Sequence, residues 1–436
     1  MPSVAPASST APSPRLSAAG TAKLQAALDS FADRVPGCFL FVGSGDELLF
    51  KGLSGKYDMM EDSADARQVD EDTIYWFAST TKLLAALQLI ERGVLSSDTP
   101  VSKYFPQVKT PFKLIKGVNP ATEEPIFEEC TTEITVAMLM NQTGGFGDEF
   151  GDKIRPWKAW TKVGAGFTNS CQKANLINVP PTEVPGTRFQ YGNCSEWLGL
   201  VIQEATGKDL DDVFQAQIFT PLGMKSTTFY PFSPEKKPHL MPLRWHNSPE
   251  DVKAGAKEWV ELTDQQPILT LPRSREEIEY PVGGGGIYSA PRDYHTLLRH
   301  ILRHFTAGSG SSILDLTAES IASLFKPSLP TGAHETDGSS GWSDYFLQKY
   351  CCTEPTEIDW STGLCILNCK EEQMGGWGRS RGSAGWSGAP GIEYYMDPVK
   401  NIAFLCGTNF LPMRGYPVEE FKTTMEKLVN EVIELA

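Results

Sequence analysis

Four residues, Ser79-Thr80-Thr81-Lys82, run directly into an apolar stretch that extends to Ile90. A serine hydroxyl is a poor nucleophile unless a base lies beside it. If these residues begin a helix, Lys82 lies three residues from Ser79 on the same face and can reach its hydroxyl. The unpaired N–H groups at a helix start and the positive end of its dipole also favour developing negative charge there. The sequence therefore predicts Ser79 as a nucleophile with Lys82 as its base.

The Ser-x-x-Lys pattern is weak evidence on its own, because the chain contains it four times, beginning at Ser79, Ser170, Ser233 and Ser323. Ser233 lies among prolines, which indicates a loop. Ser170 lacks a long apolar helix behind it, and Ser323 comes late in a helical pattern. Ser79 follows a strand-like segment, residues 73–78, and precedes a helix that Gly93 could end. The alternative for Ser79 is a simple helix N-cap, so its role depends on what else the chain carries.

A second candidate is Tyr191-Gly192-Asn193, the only Tyr-x-Asn among thirteen tyrosines. A lysine ammonium close to a phenol lowers the pKa of the phenol. Tyr191 could then take the proton of the serine hydroxyl and return it to a leaving group. Asn193 could orient Lys82 or a substrate carbonyl. A loop tyrosine that is hydrogen-bonded to the backbone is the structural alternative.

A third candidate, Gly385-Trp386-Ser387-Gly388-Ala389, precedes a predicted strand over residues 392–396. Small residues at a strand edge let a substrate carbonyl approach backbone N–H groups closely. One such N–H, together with that of Ser79, would form an oxyanion hole, and losing one such donor typically costs about 3–4 kcal/mol of barrier. The alternative is a glycine-rich turn.

A competing nucleophile, Ser380, lies in the G-x-S-x-G pattern of residues 378–382. That pattern marks a nucleophile only between a strand and a helix, with a histidine later in the chain. The residues on either side favour neither element, and His334 is the last histidine of the chain. A hydrolase triad in the order Ser, Asp, His is therefore impossible from Ser380.

Composition restricts the partners. The chain has 436 residues, enough for a large core, and an ordinary globular balance of apolar and charged residues. Its net charge of -15, without a Lys/Arg-rich run, argues against nucleic acid and anionic membrane surfaces as partners. No apolar stretch approaches the roughly 18 residues of a membrane helix. A small-molecule substrate is therefore the expected partner, and the oligomeric state is open.

Cysteine and histidine usage predicts neither a metal nor another cofactor. The nine cysteines include no C-x-x-C pair, and the six histidines are scattered. His300 and His304 are four residues apart but lack the H-E-x-x-H pattern of a zinc helix. Reduced, mostly buried thiols are expected, which favours a cytoplasmic protein.

The order of elements predicts an α+β protein. Two hairpins are expected, one over residues 38–42 and 47–51 and one over residues 392–396 and 402–407. Helices are expected over residues 20–34, 291–305 and 417–434. Strands near both ends predict one antiparallel sheet flanked by helices, built from residues of about 17–105 and 276–436, with a mostly helical lobe inserted over about 106–275. Residues 1–16, rich in Ala, Ser and Pro, are expected to be a disordered leader.

Together these motifs resemble the serine β-lactamase and penicillin-binding protein superfamily. Ser79 to Lys82, Tyr191 to Asn193 and the tripeptide of residues 386–388 occur in the order that the superfamily uses. Residues 138–145 look like the Leu-Leu-x-His-Thr-Ser-Gly turn of the superfamily. Residues 185–193 and 218–224 look like its class C branch, especially the family VIII carboxylesterases and fungal lovastatin-type transesterases. The resemblance covers residues 20–435 and implies the α+β fold with an antiparallel sheet and an inserted helical lobe.

The resemblance also implies roles. Ser79 would attack an ester or thioester carbonyl, Lys82 and Tyr191 would relay the proton, and Ala389 after Gly388 would supply the second oxyanion N–H. Lys-Thr-Gly, which binds the drug carboxylate in β-lactamases, is absent, and Trp386-Ser387-Gly388 occupies its place. The tryptophan replaces a cation with apolar surface, which favours uncharged esters. A carboxylesterase is expected; an acyltransferase, a β-lactamase or D-amino-acid peptidase, and a non-catalytic binding protein are the alternatives.

Overall fold

Short apolar segments near both ends of the chain form a single seven-stranded antiparallel sheet in the computed structural model. The structure describes residues 12–81, 84–148, 151–161, 170–262, 274–308, 312–333, 358–368, 378–412 and 415–435. The strands are β1 Pro14–Leu16, β2 Cys38–Gly43, β3 Leu48–Ser54, β4 Tyr75–Trp76, β5 Phe112–Val118, β6 Pro125–Cys130, β7 Arg244–His246, β8 Trp259–Glu261, β9 Tyr288–Ser289, β10 Ile358–Trp360, β11 Cys365–Leu367, β12 Ala384–Gly388, β13 Ile392–Asp397, β14 Ile402–Gly407, β15 Phe410–Leu411 and β16 Ile433–Leu435. The large sheet has the order β10-β11-β12-β13-β14-β2-β3. Both predicted hairpins, β2–β3 and β13–β14, are confirmed.

Helices cover both faces of this sheet. They are α1 Ala18–Asp29, α2 Leu84–Glu91, α3 Val136–Met140, α4 Ile154–Trp160, α5 Ala174–Ile177, α6 Cys194–Thr206, α7 Leu210–Phe214, α8 Pro249–Lys253, α9 Pro291–Ala307, α10 Ala318–Ser323 and α11 Val418–Val432. Side chains alternate along a strand, so Phe39 and Phe41 of β2 join the core shared with α9, whereas Leu40 and Val42 join the core shared with α1 and α11. Burial on both faces explains why β2, β13 and β14 are buried throughout. The α+β fold expected from the sequence is confirmed.

The inserted segment contains more strand than its sequence texture predicts. Helices α3 to α8 lie within it, but so do the hairpin β5–β6 and the strands β7 and β8, which join β15 in a three-stranded sheet. β7 and β8 have three residues each, too short to show an alternating pattern. β15 lies far along the chain from β7, and their parallel pairing depends on the tertiary fold.

The disordered leader predicted over residues 1–16 extends too far, because its last three residues form a strand. Residues 14–16 form β1, which pairs antiparallel with β16 at the other end of the chain. Ser17 then caps α1 by accepting a hydrogen bond from the Gly20 N–H at 3.1 Å. Composition alone suggested disorder because it contains no sign of this long-range pairing. Residues 1–11 lie outside the described residues.

No helix in the described part of the chain is long and apolar enough to cross a membrane. The six cysteines that the structure describes as free thiols, Cys38, Cys130, Cys171, Cys194, Cys365 and Cys406, are all buried.

A buried ion network attaches α11 to the sheet. The guanidinium of Arg379 contacts the carboxylates of Glu393 on β13 and Glu426 on α11, at 2.7 Å to each. The Lys422 ammonium lies 3.7 Å from Glu393. All four side chains are almost completely buried. Lys422 also contacts Glu419, which is partly exposed, at 2.9 Å. Cations and anions are thus matched in a region where an unmatched charge would be costly.

We predict that Glu426→Gln strongly destabilises the fold, because it leaves a buried cation undercompensated. The free energy of unfolding, measured by urea denaturation at pH 7, should fall by about 3 kcal/mol or more. The matched control is Glu420→Gln, which removes a half-exposed partner of Arg34 on the same helix. Its cost should stay below about 1 kcal/mol. Equal small effects of the two substitutions would contradict this account of α11.

Candidate functional site

Ser79 lies in a short 3-10 turn, Ala78–Thr80, that directly follows β4. The turn begins with a strained residue, because Ala78 has a φ of 44°, which side chains other than glycine rarely adopt. Such strain persists only where the surroundings fix the backbone, and it is common at functional sites. The sharp turn leaves Ser79 partly exposed between two fully buried neighbours, Ala78 and Thr80.

The predicted helical relation between Ser79 and Lys82 is wrong. Thr81, which follows the 3-10 turn, has φ −54° and ψ 114°, values that do not belong to a helix. These dihedrals interrupt any continuous helix from Ser79 to α2, whose described part starts at Leu84. The apolar pattern showed that a helix follows but did not show that the backbone turns first. Lys82 itself lies outside the described residues, and its role as a base stays a prediction.

Hydrogen bonds from neighbouring elements hold the nucleophile turn. β4 pairs with β9, and the Phe77 N–H donates to the Ile287 carbonyl at 2.9 Å. The Thr81 hydroxyl donates to the Ala78 carbonyl at 2.8 Å and accepts from the Ile287 N–H at 3.2 Å. On the side of α9, the Tyr294 hydroxyl donates to the Thr80 carbonyl. The position of Ser79 is thus fixed from both sides.

Tyr191 comes from a loop that packs against a second loop, residues 141–147. Gly192 forms a bridge with Gly147, and a Cβ on Gly192 would lie 2.3 Å from the Phe146 carbonyl oxygen. This close approach requires glycine at 192. Gln142, which replaces the superfamily's histidine in the turn motif, is buried and donates to the Ser195 hydroxyl at 2.9 Å. This contact gives Gln142 a structural role between the two loops.

Asn193 supports the same pair of loops. Its side-chain amide donates to the Gly147 carbonyl at 3.0 Å, and its backbone N–H donates to the Phe146 carbonyl at 3.0 Å. The structure therefore assigns Asn193 a loop-bonding contact that the sequence did not predict. Its predicted role in orienting Lys82 or a substrate carbonyl stays a prediction.

The phenol of Tyr191 meets the nucleophile. The Ser79 side chain lies close enough to its hydroxyl to act on the pKa of the phenol. The indole N–H of Trp386 donates to the same phenolic oxygen at 3.1 Å. Burial raises the pKa of Tyr191 to about 12, while the neighbouring Ser79 and Trp386 side chains act to lower it. The described surroundings therefore keep the phenol protonated at neutral pH, opposite to the downward shift that the sequence predicts from Lys82.

The strand tripeptide lies directly beside the nucleophile turn. Gly388, the last residue of β12, is so close that a Cβ there would lie 2.4 Å from the Phe77 carbonyl oxygen and 3.2 Å from Thr80 Cγ2. β11 pairs with β12 at Ala384 and Gly385, before the tripeptide begins. The edge of β12 from Trp386 onward therefore lies against the turn that carries Ser79. Its predicted role in binding substrate stays a prediction.

Ala389 follows β12 in a turn that the Gly391 N–H closes by donating to the Gly388 carbonyl at 3.1 Å. Its side chain packs in the same apolar cluster as Trp76 and Ala78. This position next to the residue before Ser79 suits the predicted oxyanion donor. The contribution of the Ala389 N–H to an oxyanion hole stays a prediction.

An aromatic wall lines the Tyr191 side of the site, and the sequence did not reveal all of it. The ring of Trp386 lies 5.0 Å from that of Tyr191 and 4.5 Å from that of Trp360, centroid to centroid. Phe189 packs on Trp360 at 5.4 Å. Trp360 lies in β10, and no motif near it in the sequence indicates a functional role. Only the pairing of β10, β11 and β12 brings it to the site.

Other candidates fall outside this arrangement. Ser380 is buried, and its N–H donates to the Asp397 carboxylate at 2.8 Å, in a turn before β12 rather than between a strand and a helix. Within the described residues, no group of three or more His, Cys, Asp or Glu side chains could hold a metal ion.

Comparisons with known proteins show the family and the fold of the chain. The beta-lactamase family model matches residues 24–420. A lovastatin esterase of Penicillium rubens is 25% identical over 86% of this chain and 89% of its own length. A monacolin J acid methylbutanoyltransferase of Aspergillus terreus is 24% identical over 82% of each chain. The structure of unliganded simvastatin synthase from Aspergillus terreus superposes with a TM-score of 0.76, at 21% identity, over 95% of this chain and 98% of that one, which supports the fold.

We predict that Trp386→Phe slows acylation of Ser79 without disrupting the aromatic wall, because it removes the indole N–H donor but keeps an aromatic ring. One hydrogen bond to a neutral group contributes about 1 kcal/mol, so acylation of Ser79 by p-nitrophenyl butyrate should slow about fivefold. The bond lowers the pKa of Tyr191, so its loss should move the rising limb of the pH–rate profile to higher pH. Trp360→Phe is the control, since its indole N–H donates to the Met140 carbonyl instead, at 3.3 Å. An equal shift of the limb in both variants would refute a specific effect on Tyr191.

We also predict that Gly388→Ala separates the β12 edge from the nucleophile turn. The new methyl group must displace the Phe77 carbonyl, and a displacement near 1 Å can cost about 100-fold in rate. Acylation of Ser79 should fall by about that factor, while circular dichroism stays native. The control is Gly117→Ala in the β5–β6 hairpin, where a Cβ would meet nothing within 4 Å. Wild-type acylation rates in the Gly388 variant would contradict the tight packing.

Proposed function

Since this chain belongs to the beta-lactamase family, we propose that it is a serine enzyme that cleaves carboxylic esters through an acyl-enzyme on Ser79. The observation that carries this proposal is the approach of the Ser79 side chain to the Tyr191 phenol, beside the part of β12 that β11 leaves unpaired among the described residues. A tyrosine acting together with Lys82 would supply the proton acceptor that a serine hydroxyl needs in order to be a good nucleophile.

In the first half-reaction, the Ser79 oxygen attacks the ester carbonyl carbon as its proton passes to the Tyr191–Lys82 pair. The N–H groups of Ser79 and Ala389 stabilise the oxyanion, with each donor contributing about 3–4 kcal/mol. The bond from the carbonyl carbon to the alcohol oxygen then breaks, and Tyr191 returns the proton to that oxygen. In the second half-reaction, water or another alcohol attacks the acyl carbon and gives its proton to the Tyr191–Lys82 pair. The bond from the acyl carbon to the Ser79 oxygen then breaks, and the proton returns to Ser79.

Lys82 supplies the positive charge that this scheme needs. The described surroundings raise the pKa of Tyr191, so the phenolate would be scarce at neutral pH. The carboxylates of Glu196 and Asp148 act in the same direction. A nearby ammonium is the group that reverses such a shift, and Lys82 is the lysine that the sequence places next to the nucleophile turn.

The surroundings of the β12 edge favour uncharged esters over β-lactams. Trp386 is buried against Tyr191 where β-lactamases of the superfamily carry the lysine of Lys-Thr-Gly. Apolar aromatic surface at that position suits the alcohol part of an uncharged ester. The similarity to an esterase and to a methylbutanoyltransferase supports ester chemistry for this chain as well. A cytoplasmic location remains a prediction from the sequence.

We predict that p-nitrophenyl butyrate leaves a butyryl adduct on Ser79, detectable by intact-protein and peptide mass spectrometry. Ser79→Ala should remove both the adduct and the turnover. The matched control is Ser233→Ala, because Ser233 also begins a Ser-x-x-Lys string but lies in the loop before residues 237–239. It should keep full turnover. Undiminished activity of the Ser79 variant would overturn the proposal.

Turnover measurements can also identify the acceptor of the acyl group and test a β-lactam as an alternative substrate. The ratio of hydrolysed to transferred acyl group, followed as alcohols are added, distinguishes an esterase from an acyltransferase. The transferase is the second candidate, favoured by the similarity to the methylbutanoyltransferase. Nitrocefin turnover within a few-fold of ester turnover would instead indicate a β-lactamase.

A further inference from the structure

The small sheet β15-β7-β8 has two chemically different faces. Side chains alternate along a strand, and paired residues share a face. His246 of β7 packs on Trp259 and Phe410, so these residues lie on one face. Arg244 shares that face, because it is two residues from His246 and pairs with Phe410 and Glu261. The charged side chains of these three strands therefore point away from the other face.

The opposite face is apolar and packs in a cluster that includes Ala78, the residue before Ser79. It carries Trp245, with Leu243 two residues before it, and Leu411, which pairs with Trp245. Leu262 shares the face because it lies two residues after Val260, the partner of Trp245 on β8. These four side chains pack in one cluster with Trp76, Ala78 and Ala389. The apolar face thus reaches both the residue before Ser79 and the predicted oxyanion donor.

This face is only partly covered. Leu411 is buried, but Leu243, Trp245 and Leu262 each keep part of their surface exposed. Partly exposed apolar side chains next to a reactive residue form a surface that an apolar ligand group can cover.

Hydrogen bonds connect this face to the strand that leads into the nucleophile turn. The side-chain oxygen of Asn409 accepts the Trp76 N–H at 3.2 Å, and its amide donates to the Met241 carbonyl at 3.1 Å. The Met241 N–H donates to the Ile74 carbonyl at 2.9 Å. One buried asparagine therefore links the strand that enters the nucleophile turn to the segment that enters β7.

We infer that Leu243, Trp245, Leu262 and Leu411 form the subsite for an uncharged apolar acyl group. This inference rests on the proposed function and specifies the substrate. Tyr191 must protonate the alcohol oxygen, so the alcohol part of the ester lies on the side of Tyr191, Trp386 and Trp360. The acyl chain leaves the carbonyl carbon in the other direction, toward the Ala78 and Ala389 side that this face lines.

The test is a series of p-nitrophenyl esters from acetate to octanoate, with kcat/KM measured for each. A buried methylene contributes about 0.8 kcal/mol, so each added methylene that reaches the subsite should raise kcat/KM up to about fourfold. Trp245→Ala and Leu262→Ala should each lower the hexanoate-to-acetate ratio about tenfold or more, with a much smaller change for acetate. Leu48→Ala, at an exposed leucine where β3 begins, is the control and should leave the ratio unchanged.

A second series keeps the acetyl group and varies the alcohol. The subsite variants should follow the wild-type trend in that series. A changed alcohol trend with an unchanged acyl trend would overturn the inference, and so would an acyl trend that neither variant alters. Failure of the proposed function has a different signature, namely no acyl adduct on Ser79 of the wild type with any ester. If Trp245→Ala does not fold, Leu262→Ala and Leu243→Asn decide the question.

Discussion

The close contact between Gly388 and the Phe77 carbonyl is the constraint on which the site depends. β12 belongs to the large sheet, whereas the turn that carries Ser79 follows β4, which pairs with β9 outside that sheet. A side chain at 388 would hold the two apart by colliding with a backbone oxygen 2.4 Å away. Because residue 388 is a glycine, the edge of β12 and the nucleophile turn can share one cleft. Tyr191 and Trp386 then lie close enough for their hydrogen bond, and Ala389 packs with Ala78.

A glycine contact also joins the loop that carries Tyr191 to the loop of residues 141–147. We call this the second junction of the site, the first being the contact between β12 and the nucleophile turn. Gly192 lies against Phe146 and Gly147 without room for a side chain, and Asn193 bonds the two loops together. Both junctions therefore combine a glycine contact with hydrogen bonds to the backbone. Because three separate parts of the chain meet at Ser79, a small shift at either junction moves a reacting group relative to the others. The strained backbone at Ala78 is consistent with a turn fixed by its surroundings rather than by its own preferences.

Sequence patterns predicted the long elements and the residue types of the site, but not the local backbone. The hairpins β2–β3 and β13–β14 and helix α9 have periodic apolar patterns long enough to be read directly. The turn at Ala78–Thr80 was predicted as a helix start, because nothing in Ser-x-x-Lys reports the dihedrals of Thr81. β1 was missed because it pairs with β16 at the other end of the chain. Trp360 was missed because its strand, β10, reaches β12 only through β11, which has three residues.

The cleft has two walls, the aromatic wall beside Tyr191 and the apolar face of the β15-β7-β8 sheet, and each would contact a different part of the substrate. The aromatic wall of Trp386, Trp360 and Phe189 lies beside Tyr191, where an alcohol oxygen must gain or lose its proton. Because deacylation reverses acylation, water or an acceptor alcohol attacks from the same side. The aromatic wall would therefore determine whether the acyl group passes to water or to an alcohol. The leucines and Trp245 on the β15-β7-β8 sheet would determine which acyl group is carried. Substitutions on one wall should leave the selectivity of the other intact, because the two walls contact opposite substituents of one carbonyl carbon.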